Sequence, residues 1–103
     1  MSKISVLVKE PGEAAYHENV ENSLETLQEI VSGFIETFTL DNGVVVICNE
    51  EGRIWDLPYN CSIKDVEFVG TIILAGVNGD EFCDVPMDIP EAKRLFPELF
   101  EEE

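Results

Sequence analysis

The segment Val66–Val77 constrains this chain most. Within it Phe68-Val69-Gly70-Thr71-Ile72-Ile73-Leu74 is apolar almost without a break. A strand with one wet face alternates apolar and polar residues, so a run this continuous belongs at the centre of a sheet. The chain has 103 residues, enough for a single domain, 1–103, whose core removes roughly 60–70 % of the unfolded surface from water.

The remaining elements are punctuated by turns. Ile4, Val6 and Val8 alternate with Lys3, Ser5, Leu7 and Lys9 up to the turn Glu10-Pro11-Gly12, which predicts a strand. A short extended stretch follows over Tyr16–Val20. Asn22 is the expected helix cap, with Glu25 reaching back as in a capping box, and Leu24, Leu27, Ile30 and Val31 form the apolar face of a helix over Ser23–Ser32. Gly33 is expected to take the left-handed conformation past its end. Phe34–Leu40 and Val44–Cys48, joined through Asp41-Asn42-Gly43, predict a hairpin. Glu50-Glu51-Gly52 turns the chain into Arg53–Leu57, which Pro58 and Asn60 end, and a loop through Ile63 and Asp65 leads on to the central run. After the turn Asn78-Gly79-Asp80, Pro90 to about Phe100 reads as a short helix interrupted at Pro97, followed by the acidic tail Glu101-Glu102-Glu103. The order predicts an α+β fold: a mainly antiparallel sheet of about five strands, one helix packed on one face and a short C-terminal helix.

Charge narrows the function. Lys and Arg number 6 against 22 Asp and Glu, a net charge of −16, in a chain that is 45 % apolar with mean hydropathy +0.02. Disordered acidic chains combine high charge with low hydrophobicity, so this acidity is carried by something folded. Direct binding to nucleic acid or to an anionic membrane relies on Lys and Arg and is disfavoured; the expected partner is a basic protein surface, met by a monomer or a homodimer. No apolar run approaches the ~20 residues of a membrane span, and no secretory signal pattern opens the chain, so a cytoplasmic location is expected. Cys48, Cys61 and Cys83, at spacings of 13 and 22, fit neither a disulfide framework nor a metal clip and read as reduced packing residues.

Chemistry motifs are missing. The chain has no phosphate-binding glycine loop, zinc-protease pair or nucleophile elbow, and its single His17 stands alone, so no enzyme activity, metal or cofactor is expected. Asp80, Glu81, Asp84 and Asp88 lack the order of a calcium loop and read as a solvated acidic loop. Trp55 and Tyr59 flank Asp56 in a loop-like stretch where interface aromatics are found, with core packing as the preferred reading of both rings.

The carboxylates themselves remain. Sixteen net charges spread over a surface of roughly 6,000 Å² amount to about one per 370 Å², against on the order of one per 100 Å² for duplex DNA. Gathering most carboxylates on half the surface would raise this to about one per 140 Å². Candidate groups are Glu25 and Glu29, one helical turn apart, with Glu18 and Glu21 before them; Glu36, Asp41, Glu50 and Glu51 around the hairpin; and Asp80, Glu81, Asp84, Asp88 and Glu91. Trp55 and Asp56 complete the candidate partner-binding set. The competing reading is an ordinary solvated surface.

A resemblance adds to this. The motifs Val6–Gly12, Asn22–Glu36, Val46–Gly52 and Leu57-Pro58-Tyr59-Asn60, followed by the strand Gly70–Gly76, resemble the family catalogued as domain of unknown function 3846, carried by phages, plasmids and conjugative elements of Gram-positive bacteria. It covers about residues 4–83, assigns no catalytic residue, and has Gly-Tyr where this chain has Gly33-Phe34; residues 84–103 form an acidic extension beyond the pattern. An acidic stand-alone copy of this length looks like a type II-A anti-CRISPR protein. The resemblance implies binding to the basic groove of a type II RNA-guided nuclease and interference with guide RNA loading, or with target DNA engagement. A nucleic-acid mimic directed at restriction enzymes, a plain acidic interaction module and an enzyme that destroys guide RNA are the alternatives.

Overall fold

Two strands have no wet side. β4 (Val44–Asn49) is buried at every position and β7 (Ile72–Asn78) from Ile72 to Gly76. They pair antiparallel, Ile47 opposite Ile73 and Val44 opposite Gly76, and strands so apolar require cover on both faces. The computed structural model describes residues 2–101; Glu102 and Glu103 of the acidic tail lie outside the described residues. β1 (Lys3–Lys9) pairs with β7 and β2 (Tyr16–Glu21) with β1, while β3 (Ile35–Thr39) lies beyond β4. The order is β2-β1-β7-β4-β3, and a short β8 (Glu81–Cys83) joins the end of β7, giving six antiparallel strands. A separate antiparallel hairpin, β5 (Tyr59–Ile63) and β6 (Val66–Val69), lies off the sheet. The class is α+β, with the helix and hairpin layers expected of a sheet that is dry on both sides.

Alternation along each strand sorts the core into two layers. On one face α1 (Leu24–Val31) places Leu27 and Val31 against Ile4, Val6, Val8, Val45, Ile47, Ile73 and Ala75. On the other, Leu7, Val46, Cys48, Ile72 and Leu74 meet Cys61, Ile63 and Phe68 of the hairpin, together with Ala92 of α2 (Ile89–Leu95), Phe96 at its C-cap and Leu99 of the 3-10 turn Pro97–Phe100. Val85, Met87, Ala92, Phe96 and Leu99 thus place the segment 85–100 against the core.

Several local expectations change. Ser23 caps α1: its Oγ accepts the Thr26 N–H at 3.2 Å. The Asn22 side chain instead donates to the Phe82 carbonyl at 3.0 Å, tying β8 down. Ser32 takes the left-handed position with φ 66°, not Gly33. Leu24, assigned to the apolar face, is 58 % exposed, because the sheet reaches only the Leu27 and Val31 side of the helix. The run 66–77 breaks at Gly70, whose φ of +73° turns β6 away from β7; only Ile72 onward is central. Tyr59–Ile63, read as a loop, is a strand, because Asn60 donates to the carbonyls of Lys9 (2.8 Å) and Gly70 (2.7 Å) and so pins the hairpin to the sheet.

Gly76 marks the closest approach in the core. A Cβ there would lie 2.2 Å from the Asp84 carbonyl oxygen, so Gly76→Ala is expected to cost about 3 kcal/mol, the upper end for overpacking, in urea unfolding. Burial pushes the thiols of Cys48 and Cys61 up to about 11 from an ordinary 9.0, with Glu36 adding to the first; at Cys61 Lys9 opposes the rise and Glu98 adds to it. The folded chain holds these protons more tightly than the unfolded one. Their contribution to stability is therefore full below about pH 9 and is lost as pH rises through about 11. Unfolding midpoints should fall above pH 9, and a Cys48→Ala/Cys61→Ala variant should lose that part of the decline.

Candidate functional site

Asn49 builds the site. It ends β4 on a buried amide, and that amide ties three segments together: Nδ2 donates to the Val31 (3.0 Å) and Ser32 (3.2 Å) carbonyls at the end of α1, and Oδ1 accepts the Glu51 N–H (2.7 Å). These carbonyls are among those a helix leaves unpaired at its C-terminus. Gly33 permits the approach, since a Cβ there would stand 2.7 Å from Nδ2. The following turn closes on itself, with the N–H groups of Trp55 and Leu57 donating to the carbonyls of Glu51 (3.0 Å) and Gly52 (3.0 Å), and with Asp56 at φ 58°.

Between α1 and this turn runs an open groove of about 820 Å³. Glu25, Gln28, Glu29 and Ser32 line it from the helix, Phe34 and Asn49 from the sheet side, and Glu51, Trp55 and Leu57 from the turn. Phe34 is 62 % exposed, Trp55 67 % and its neighbour Ile54 77 %. The core reading of Trp55 is therefore corrected, as is that of Tyr59, which is half exposed and shares a hydrogen bond with Ser62 Oγ (2.9 Å). Leu57 occupies the inward place instead, packed over Gly52 and Gly70. Among the described residues no Lys, Arg or His lines the groove.

The family described as Domain of unknown function (DUF3846) matches residues 3–99. The chain belongs to that family. No curated protein matches it, and no solved structure does. The match runs past the 4–83 span of the quoted motifs and takes in α2, in keeping with the packing of that helix in the core.

In this DUF3846 domain the sequence-selected carboxylates do not form one surface. Glu25, Glu29, Glu51 and Trp55 share the groove, and Asp56 sits in its turn. Glu36 and Glu50 line an adjoining cleft of about 140 Å³, which also holds Arg53 and Glu67. Glu18 and Glu21 lie on β2, at the sheet edge opposite β3. Asp80 and Glu81 stand at the β7–β8 turn, at the end of the sheet where Gly76 pairs Val44, away from Glu50 and Glu51. Asp41 is bonded to Lys64 Nζ, and that ammonium holds its carboxyl below the usual range, first through the hydrogen bond and then through charge. Sequence reasoning missed Phe34, Gln28, Ser32, Leu57 and Asn49 as groove residues. Asn49 had a signal: a lone amide closing the apolar run Val44–Cys48.

Among the described residues no group of three or more His, Cys, Asp or Glu is placed to hold a metal ion, and no helix is long and apolar enough to cross a membrane. Asn49→Ala leaves two carbonyls and one N–H without their partner and is expected to cost about 2–3 kcal/mol. Asn49→Asp keeps the acceptor for Glu51 but sets a carboxylate against the Val31 and Ser32 carbonyls, so it should cost at least as much. Urea unfolding followed by Trp55 emission measures both; a wild-type midpoint for Asn49→Asp would remove the amide from this role.

Proposed function

We propose that this protein is an acidic binding module that attaches to a basic protein surface through the groove between α1 and the 50–57 turn. The observation that carries this reading is the groove itself, in which exposed aromatic rings sit among carboxylates and which, among the described residues, no Lys, Arg or His lines. Aromatic anchors rimmed by charge supply most of the energy at protein interfaces, while the net charge of −16 accelerates encounter with a cationic partner. The resemblance to type II-A anti-CRISPR proteins supplies the target: the basic channel of a type II RNA-guided nuclease, which holds guide and target nucleic acid. Occupying that channel blocks guide RNA loading, or failing that target DNA engagement, and involves no turnover. The scatter of Glu18, Glu21, Asp80 and Glu81 to other edges of the sheet favours such a local contact over imitation of a continuous duplex.

Order of addition tests the mechanism. Mixed with the nuclease before guide RNA, the protein should inhibit cleavage strongly; added to the assembled complex, it should inhibit weakly, because guide phosphates already occupy the basic sites. Equal potency in both orders would shift the block to target DNA. Capture of the nuclease should weaken as salt rises, since exposed charges are screened over ~8 Å at physiological ionic strength. Changing Glu25, Glu29, Glu36, Glu50 and Glu51 together to Lys should abolish capture, and a folded quintuple variant that captures normally would overturn the choice of face.

A further inference from the structure

We infer that the groove is an arginine-binding site: a guanidinium of the partner stacks on the Trp55 indole and is met by Glu51 from one side and by Glu25 and Glu29 from the helix. This rests on the groove being the docking face, and it specifies what the face reads. The volume of about 820 Å³ lies within the ~300–1,000 Å³ of ligand clefts and is wider than one guanidinium, so a run of partner residues fills it with arginine as the anchor.

Charge and shape separate the possible occupants. A purely apolar segment would cover Trp55 and Phe34 but strip water from Glu25, Glu29 and Glu51 without pairing them. Nucleic acid is repelled by the same carboxylates. A second copy of this chain brings another −16, and its arginines, Arg53 and Arg94, already face Glu67 and Glu91. A lysine ammonium satisfies the charge, but as a compact, strongly hydrated point it makes poor use of an exposed indole. Guanidinium is planar and weakly hydrated, stacks on aromatic faces, and keeps five donors in its plane for carboxylates on both sides of the ring. Glu25 and Glu29, one turn apart on α1, and Glu51 across the groove are acceptors of that kind. The backbone that carries the indole is also held: its turn is closed by the Trp55, Asp56 and Leu57 backbone bonds and anchored by Asn49 Oδ1 on the Glu51 N–H, which lowers the cost of ordering the turn on binding.

Trp55 is the only tryptophan, so intrinsic emission reports on this groove directly. The experiment titrates the full chain at low salt with a capped Arg-Gly-Arg-Gly-Arg peptide and with its lysine counterpart of equal charge. The arginine peptide should change Trp55 emission saturably and bind at least about fivefold more tightly than the lysine peptide. By calorimetry, Trp55→Leu should weaken arginine-peptide binding about tenfold, and Glu25→Gln/Glu29→Gln/Glu51→Gln at least as much, while Glu13→Gln/Glu101→Gln, outside the groove, should match wild type. Circular dichroism and urea midpoints establish that each variant is folded. Equal affinity for the two peptides, or arginine-peptide binding that Trp55→Leu leaves intact, overturns the inference. Nuclease capture that persists beside equal peptide affinities removes this inference and leaves the docking reading; arginine-selective binding without nuclease capture removes the nuclease and leaves the inference.

Discussion

Everything in this fold depends on two adjacent strands that are dry on both faces. β4 and β7 present Val46, Cys48, Ile72 and Leu74 to one side and Val45, Ile47, Ile73 and Ala75 to the other. A sheet with such a centre gains its stability only when each face is covered, at about 25 cal/mol per Å² of apolar surface removed from water. One helix covers one side. The other needs the β5–β6 hairpin and α2 together, with Ala92, Phe96 and Leu99 packed against it.

Buried amides join these layers where apolar contact alone would leave backbone groups unpaired. Asn60 connects the end of β1 to the hairpin through the Lys9 and Gly70 carbonyls, and Asn49 connects β4 to the end of α1 and to the turn beyond. The second joint shapes the groove. It fixes the exit of the helix and the start of the 50–57 turn against the same strand end, so that Trp55 projects from a braced turn. The core and the candidate binding face are thus coupled through one side chain.

Much of the fold was legible from the residues. The alternation of Ile4, Val6 and Val8, the Asn42-Gly43 hairpin, the helix after Ser23 and the helix broken at Pro97 all carry local signals, and each element is present. What was misread depended on partners far away in sequence. The strand at Tyr59–Ile63 has weak local preference and owes its place to Asn60 and to packing of Cys61 and Ile63 under the sheet. In the sequence Glu25 and Glu29 form one group, Glu51 belongs to another and Trp55 stands apart; their convergence needs the contact between α1 and the end of β4. Trp55 looked like core because aromatic rings are usually buried, but Leu57 takes the inward position two residues later.

The sequence by itself determined the class of fold, the central place of the strand from Ile72 onward and the net charge of −16, because hydrophobic periodicity, turn chemistry and charge are properties of neighbouring residues. Tertiary structure decided which carboxylates stand together, which ring faces solvent and which amide holds the groove open. Those depend on long-range pairing: Asn49 meets Val31 and Ser32 only after β4 has found β7 and α1 has settled on the sheet they share.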